Sequence, residues 1–159
     1  MNNKTSAEWT EIVAKARHTG KMANTLAKAL AKRYAHRWRF VDFRGPNGEE
    51  SGGIVDIVAI RKSGKAPAIS GVKKLDLFEM MLIQVKGGSA KGPTADDIVR
   101  LKLVRNKYDA QAIVLFAWNK DKKVAEFRTL DGNNEWVVTT AAKLFGKPTK
   151  PEKAKATNF

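Results

Sequence analysis

Asp56 stands alone among apolar residues in IVDIVAI (54–60), and Gln84 and Lys86 sit two apart in LIQVKGG (82–88). Side chains two apart in a strand share a face. The amide and the ammonium therefore project together, beside Leu82, Ile83 and Val85, which read as core. Aspartate is a poor strand former, and an unpaired buried carboxylate is expensive. Asp56 is tolerable there if it is solvated, paired with a cation or bound to a metal. Pairing with Lys86 across neighbouring strands would make it an inert ion pair at a sheet end. The functional alternative uses all three side chains. A hard cation such as Mg²⁺ takes oxygen ligands in near-octahedral geometry and keeps several waters. Asp56 offers a charged oxygen, the Gln84 amide a neutral one, and the Val85 backbone carbonyl a third. Lys86 would then orient or deprotonate a water, or offset charge developing on a phosphate. Phosphodiester hydrolysis requires these parts.

These residues need elements to hold them. Thr5 with Glu8 makes a capping box, and Trp9, Ile12, Val13 and Ala16 fall at helical spacing, so a short first helix closing at Gly20 is expected. Met22, Leu26, Leu30 and Tyr34 mark a second helix, whose other face carries Lys21, Lys28, Lys32 and Arg33. Trp38, Phe40 and Phe43 suit a strand ended by a turn at 45–48. Residues 54–60 and 78–86 read as strands, with Asp56 on the face of Ile54 and Val58. A loop covers 62–71. The glycine-rich loop GGSAKGPT (87–94) leads into a helix opened by Thr94 and Asp97, with Ile98, Leu101, Val104 and Tyr108 on one side. Strands follow at 112–118, 124–129 and 136–139, and a last helical turn ends at Gly146. Strand, helix and strand around Lys86 to Trp118 imply a parallel pair. The expected class is α/β (α+β), a mixed sheet with helices packed on it. Residues 1–145 read as one domain, and 146–159 as a basic, disordered tail.

Composition narrows the partners. The 159 residues hold 30 Lys and Arg against 16 Asp and Glu, a formal charge of +14. Such an imbalance costs stability by self-repulsion and points to a polyanion. Nucleic acid comes first, because Lys and Arg neutralise phosphates and release counterions. Lys21, Lys28 and Lys91 are the candidate contacts. There is no cysteine, and the two histidines, His18 and His36, lie amid Arg and Lys at expected helix ends. A thiolate metal site is excluded and a zinc site has little to stand on. No apolar run reaches the roughly 20 residues that span a bilayer, and the N-terminus lacks a secretory layout. The expectation is a cytoplasmic protein with no membrane partner. The four tryptophans lie in apolar patterns and are expected in the core, with Trp118, at a strand end, the one expected to be partly exposed. No GxxxxGK[ST] occurs, so a P-loop is absent.

The order of elements around Asp56, Gln84 and Lys86 resembles the core of the PD-(D/E)XK nuclease superfamily from about Gly20 to Trp118. The chain has a helix, then GGIVDIVAI, then LIQVKGG, then a helix and AIVLFAW. The glutamine form of the second motif is similar to Mrr-type restriction endonucleases, and DIVAI to Holliday-junction resolvases of the same superfamily. The resemblance implies a restriction-endonuclease-like fold and metal-dependent cleavage of DNA with Mg²⁺ or Mn²⁺. Asp56 would be the metal-binding acid, Gln84 the variable ligand and Lys86 the catalytic lysine. Dimers that cut both strands are common among such enzymes, so a homodimer is a possible state. Two departures stand out. Asn24 occupies the position where the first helix usually supplies an acid, and Mrr-type proteins place the aspartate one residue nearer the glycine pair. Glu49 or Glu50 is the candidate replacement acid. A non-catalytic DNA- or RNA-binding protein on the same fold is the competing expectation.

Overall fold

The computed structural model of the chain describes residues 5–34, 37–43, 53–88, 90–119, 121–122 and 124–146, without the side chains of 16, 17 and 34. The elements run α1 (Ser6–Tyr34), β1 (Arg39–Asp42), β2 (Ile57–Lys62), β3 (Phe78–Gly87), α2 (Ala95–Tyr108), β4 (Ala112–Asn119), β5 (Val124–Leu130), β6 (Trp136–Thr139) and α3 (Ala141–Phe145). The strands form one sheet in the order β1-β2-β3-β4-β5-β6. All neighbours are antiparallel except β3 and β4, which pair parallel around the α2 crossover as the sequence order implies. The class is therefore α+β, with a mixed and mostly antiparallel sheet.

Two cores hold the layers together. On one face Ala27 and Ala31 of α1 pack with Ile57, Ala59, Met81, Ile83, Val114 and Phe116. Phe127 stacks edge-on against Phe145, which anchors α3 to the same face. On the other face Leu101 of α2 meets Ile54 and Ile113, with Val55 and Val104 beside them. Trp38 is 3% exposed, as its apolar setting implies.

Three expectations change. The two short helices are one continuous α1 that passes through Gly20. A glycine in a helix costs about 1 kcal/mol relative to alanine, too little to stop a segment flanked by Ala, Lys and Met. Trp9 is not core: it is 55% exposed, and Ile12 and Val13 beside it are exposed as well. The buried face of α1 begins at Ala23, where it reaches the sheet. Finally, β2 starts at Ile57 and not at Ile54. Ile54 and Val55 both pack into the α2-side core, which strict strand alternation forbids for adjacent residues. Asp56 consequently lies in a bend just before the strand. The expected turn at 45–48, His36, Glu49, Glu50, Ser89 and the tail from 147 lie outside the described residues.

Candidate functional site

The register of β2 and β3 places Asp56 against the QVK segment. Ile57 is opposite Ile83 at the end of the ladder, and Asp56 lies in the bend just before it. Its backbone N–H donates to the Ile83 carbonyl at 3.0 Å. Beyond that point β2 leaves β3, and the next β3 donor facing it, the Val85 N–H, has no strand to meet. The Asp56 carboxylate takes that place: Oδ2 accepts from the Val85 N–H at 2.7 Å. A ladder residue turns its N–H and C=O toward the same edge. The Val85 carbonyl is thus directed to the side on which the Asp56 carboxylate sits.

Gln84 and Lys86 project from the sheet face that carries α2, opposite the Ile83 and Val85 side chains that meet α1. Gln84 is 4% exposed, and its Oε1 has no hydrogen-bond partner among the described residues. A buried acceptor without a donor costs about 1–3 kcal/mol and calls for an explanation. Lys86 is half-buried and reaches toward the first turn of α2. Asp97 there is held below the usual carboxylate range, first by the Thr94 backbone N–H and to a smaller degree by the Lys86 and Arg100 charges. Thr94 and Asp97 form a full capping box, so Thr94 is a helix cap.

Gly87 and Gly88 explain themselves through α1. A Cβ on Gly87 would lie 2.9 Å from the Ala23 Cβ and 3.1 Å from the Thr19 carbonyl, and Gly88 adopts φ +66°. The pair lets α1 press directly on the end of β3, a constraint that the spacing of KGG hints at but does not assign. Asn24 follows Ala23 on that inward side, 8% exposed, with Oδ1 likewise lacking a partner among the described residues. It lies on the α1 side of the sheet, away from the face of Gln84 and Lys86.

The remaining candidates scatter. Lys28 is ion-paired with Asp42, so its charge is already met within the chain. Lys21 and Lys91 are exposed. Glu79 projects to the face opposite Gln84, as alternation requires, and joins Arg61. Asp76 accepts the Lys73 N–H within a loop turn. Among the described residues no three His, Cys, Asp or Glu side chains gather into a metal cluster. Asp56 is joined to the Val85 backbone directly and Gln84 is the residue before Val85, so this stretch offers one carboxylate, one amide oxygen and one backbone carbonyl. That set fits Mg²⁺ or Mn²⁺ holding several waters, and it does not fit zinc.

Sequence reasoning missed a second polar region at the opposite end of the β2–β3 pair. Arg37, Arg39, Arg61 and Lys62 line a cleft of about 640 Å³ with Leu75 and Phe78. They come from two stretches, 37–39 and 61–62, which come together because Arg39 pairs with Ile60 and Lys62 with Phe78. Among the described residues no helix is long and apolar enough to cross a membrane. The chain matches no protein-family model, no curated protein and no solved structure.

Proposed function

We propose that the protein is a divalent-metal-dependent endonuclease acting on DNA, built on a restriction-endonuclease-like core. The observation that carries this reading is the junction where β2 leaves β3. There a carboxylate is fastened to the backbone of QVK, and the residue before Val85 carries a buried amide oxygen with no donor among the described residues. The helix, three strands, helix and strand around it follow the order that the motif's resemblance implies. The charge of +14 suits a polyanionic substrate.

Asp56, the Gln84 Oε1 and the Val85 carbonyl would hold Mg²⁺ or Mn²⁺, which when bound supplies Lewis-acid polarisation of the scissile phosphate. The chain's own residues do the rest. Fastening Asp56 to the Val85 N–H fixes the carboxylate without an induced movement, so its orientation is set before substrate arrives. Burial of Gln84 excludes water from one side of the site. Lys86 extends from the same strand face as Gln84 and would offer its ammonium to a phosphate oxygen or an attacking water. Asp97 offsets that charge only in part, through a long-range effect.

The test is cleavage of linear, supercoiled and four-way-junction DNA in Mg²⁺ and Mn²⁺. Two variants accompany the wild type. Asp56→Asn keeps an oxygen to accept the Val85 N–H while removing the charge, and Lys86→Ala removes the ammonium. Each is expected to lose at least about 100-fold in cleavage rate, the usual scale of a positioned acid–base group, with DNA affinity in chelator little changed. Wild-type protein that binds DNA tightly and cuts none of the three substrates in either metal would sink the enzyme and leave a binding protein. RNA substrates run in parallel decide which nucleic acid is cut.

A further inference from the structure

The basic cleft lies at the far end of β2 from Asp56. From Asp56 to Lys62 the strand rise of about 3.3 Å per residue gives roughly 20 Å, too far for one phosphate to serve both places. By register Arg39, Ile60, Lys62 and Phe78 share one sheet face. Arg37, two residues before Arg39, brings another cation to the rim. Arg61 enters from the opposite face and is held there. It donates from Nε to Glu79 at 2.7 Å, and its guanidinium lies 4.5 Å from the Trp38 ring centroid. Glu79 therefore neutralises one of four positive charges. Arg37, Arg39 and Lys62 are exposed.

Charge alone would give a diffuse phosphate-binding surface. Phe78 makes this cleft different. It is 62% exposed on a strand residue, and Leu75 beside it is exposed as well. An aromatic ring presented to solvent among three cations matches the two requirements of single-strand binding: a π-face for a base and positive groups along the backbone. A duplex keeps its bases stacked and offers none to Phe78. The cleft volume of about 640 Å³ lies in the range of small-ligand clefts.

We infer that this cleft holds an unpaired nucleotide of the nucleic-acid substrate, its base against Phe78 and its flanking phosphates on Arg37, Arg39 and Lys62. The inference rests on the nucleic-acid half of the proposed function and not on cleavage. If the Asp56 end also cuts, the substrate would carry its single-stranded segment about 20 Å from the scissile bond, at the β-strand rise used above.

Fluorescence anisotropy with a labelled oligothymidine and a duplex of equal length, across a salt series in chelator, tests it. Phe78→Ala is expected to weaken single-strand binding about fivefold or more, the scale of one stacked base, and to leave duplex binding unchanged. Phe78→Leu, which keeps apolar bulk but no ring, is expected to match it and guards against a folding defect. Arg39→Gln/Lys62→Gln should lower the single-strand slope of log Kd against log salt by about 1.4, from about 0.7 per phosphate contact. The exposed pair Lys107→Gln/Lys122→Gln should leave that slope unchanged. Equal losses from the two lysine and arginine pairs, or no effect of Phe78→Ala, would overturn the cleft. So would Phe78→Ala abolishing binding to phosphatidylglycerol vesicles while single-strand affinity held, since the cleft would then serve a lipid surface. A wild type that cuts nothing but responds to the cleft variants in this way leaves the inference standing and removes only the nuclease.

Discussion

The two ends of the β2–β3 pair both place polar side chains beside a hydrophobic sheet, and they settle them differently. At the Phe78 end, Glu79 faces Arg61 directly across the ladder. Its carboxylate accepts from Arg61 Nε at 2.7 Å and from Ser63 Oγ at 3.0 Å. Arg61 in turn lies over the buried Trp38. At the Gln84 end, one carboxylate oxygen takes a backbone N–H and the neighbouring amide oxygen is buried with no donor among the described residues. A satisfied network of charges rigidifies what it joins. An acceptor left buried subtracts from stability and persists where another demand outweighs that loss. The Glu79 end therefore reads as scaffold around its cleft, while the Gln84 end carries a buried acceptor that its own packing does not satisfy among the described residues.

The largest stability effect expected from breaking this contrast comes from glycine. Gly87→Ala forces a Cβ to 2.9 Å from Ala23 and 3.1 Å from a backbone oxygen of α1. Backbone cannot yield as a side-chain tip does, so urea denaturation should show a loss of about 1–3 kcal/mol. Gly64, in the loop after β2, has open space around its Cβ position and no positive φ. Gly64→Ala should be neutral or slightly stabilising through the unfolded chain. Equal effects at the two positions would mean that the close packing of α1 on the Asp56 end is not what its geometry suggests.

Much of this frame was legible in the sequence because it is written in periodicities. The strands at 78–86 and 112–118, the Thr94 cap and the parallel crossover all follow from alternation, capping chemistry and connection length. The single α1 was not, because a lone glycine signals a helix end as readily as an interior. The true start of β2 was hidden for a related reason. Ile54 and Val55 are good strand residues, and it takes their shared packing on the α2 side and the side-chain bond from Asp56 to the Val85 N–H to show where pairing stops. Asp56, Gln84 and Lys86 could be picked out as misfits in apolar stretches, and the Val85 N–H bond then tied Asp56 to the QVK segment. The basic cleft had no such mark. Arg37, Arg39, Arg61 and Lys62 are ordinary charges in a chain full of them, and only the hairpin register gathers them.

A medium-sized effect separates the readings of Gln84. Methionine matches glutamine in length and shape and carries no polar oxygen. If the Gln84 Oε1 is held for a cation, Gln84→Met should raise metal-free stability by about 1 kcal/mol, since a buried unsatisfied acceptor disappears. The same change should abolish any rise in Tm that Mg²⁺ or Mn²⁺ produces in the wild type, a linkage effect of binding to the folded state alone. A variant less stable than wild type in chelator would show that the amide already has the partners it needs.

The smallest effect tests the Glu79 end through pH. Burial alone pushes the Glu79 carboxyl up, but the hydrogen bonds from Arg61 and Ser63 and the charges of Arg61 and Lys65 outweigh it. The group is held below its ordinary value of 4.5. A carboxyl whose folded pKa is depressed contributes stability that is fully present above the unfolded pKa. That contribution is lost as pH falls from about 4.5 through the folded value. Glu79→Gln should accordingly melt below wild type at pH 7, and the gap should narrow as pH drops below 4.5. Asp97 and Glu8 are also held low by their capping bonds, so both proteins will lose stability in acid. Only the difference between the two curves isolates Glu79. A gap that stays constant from neutral to acid would mean that its charge contributes nothing and that the packing of Arg61 on Trp38 holds this end by itself.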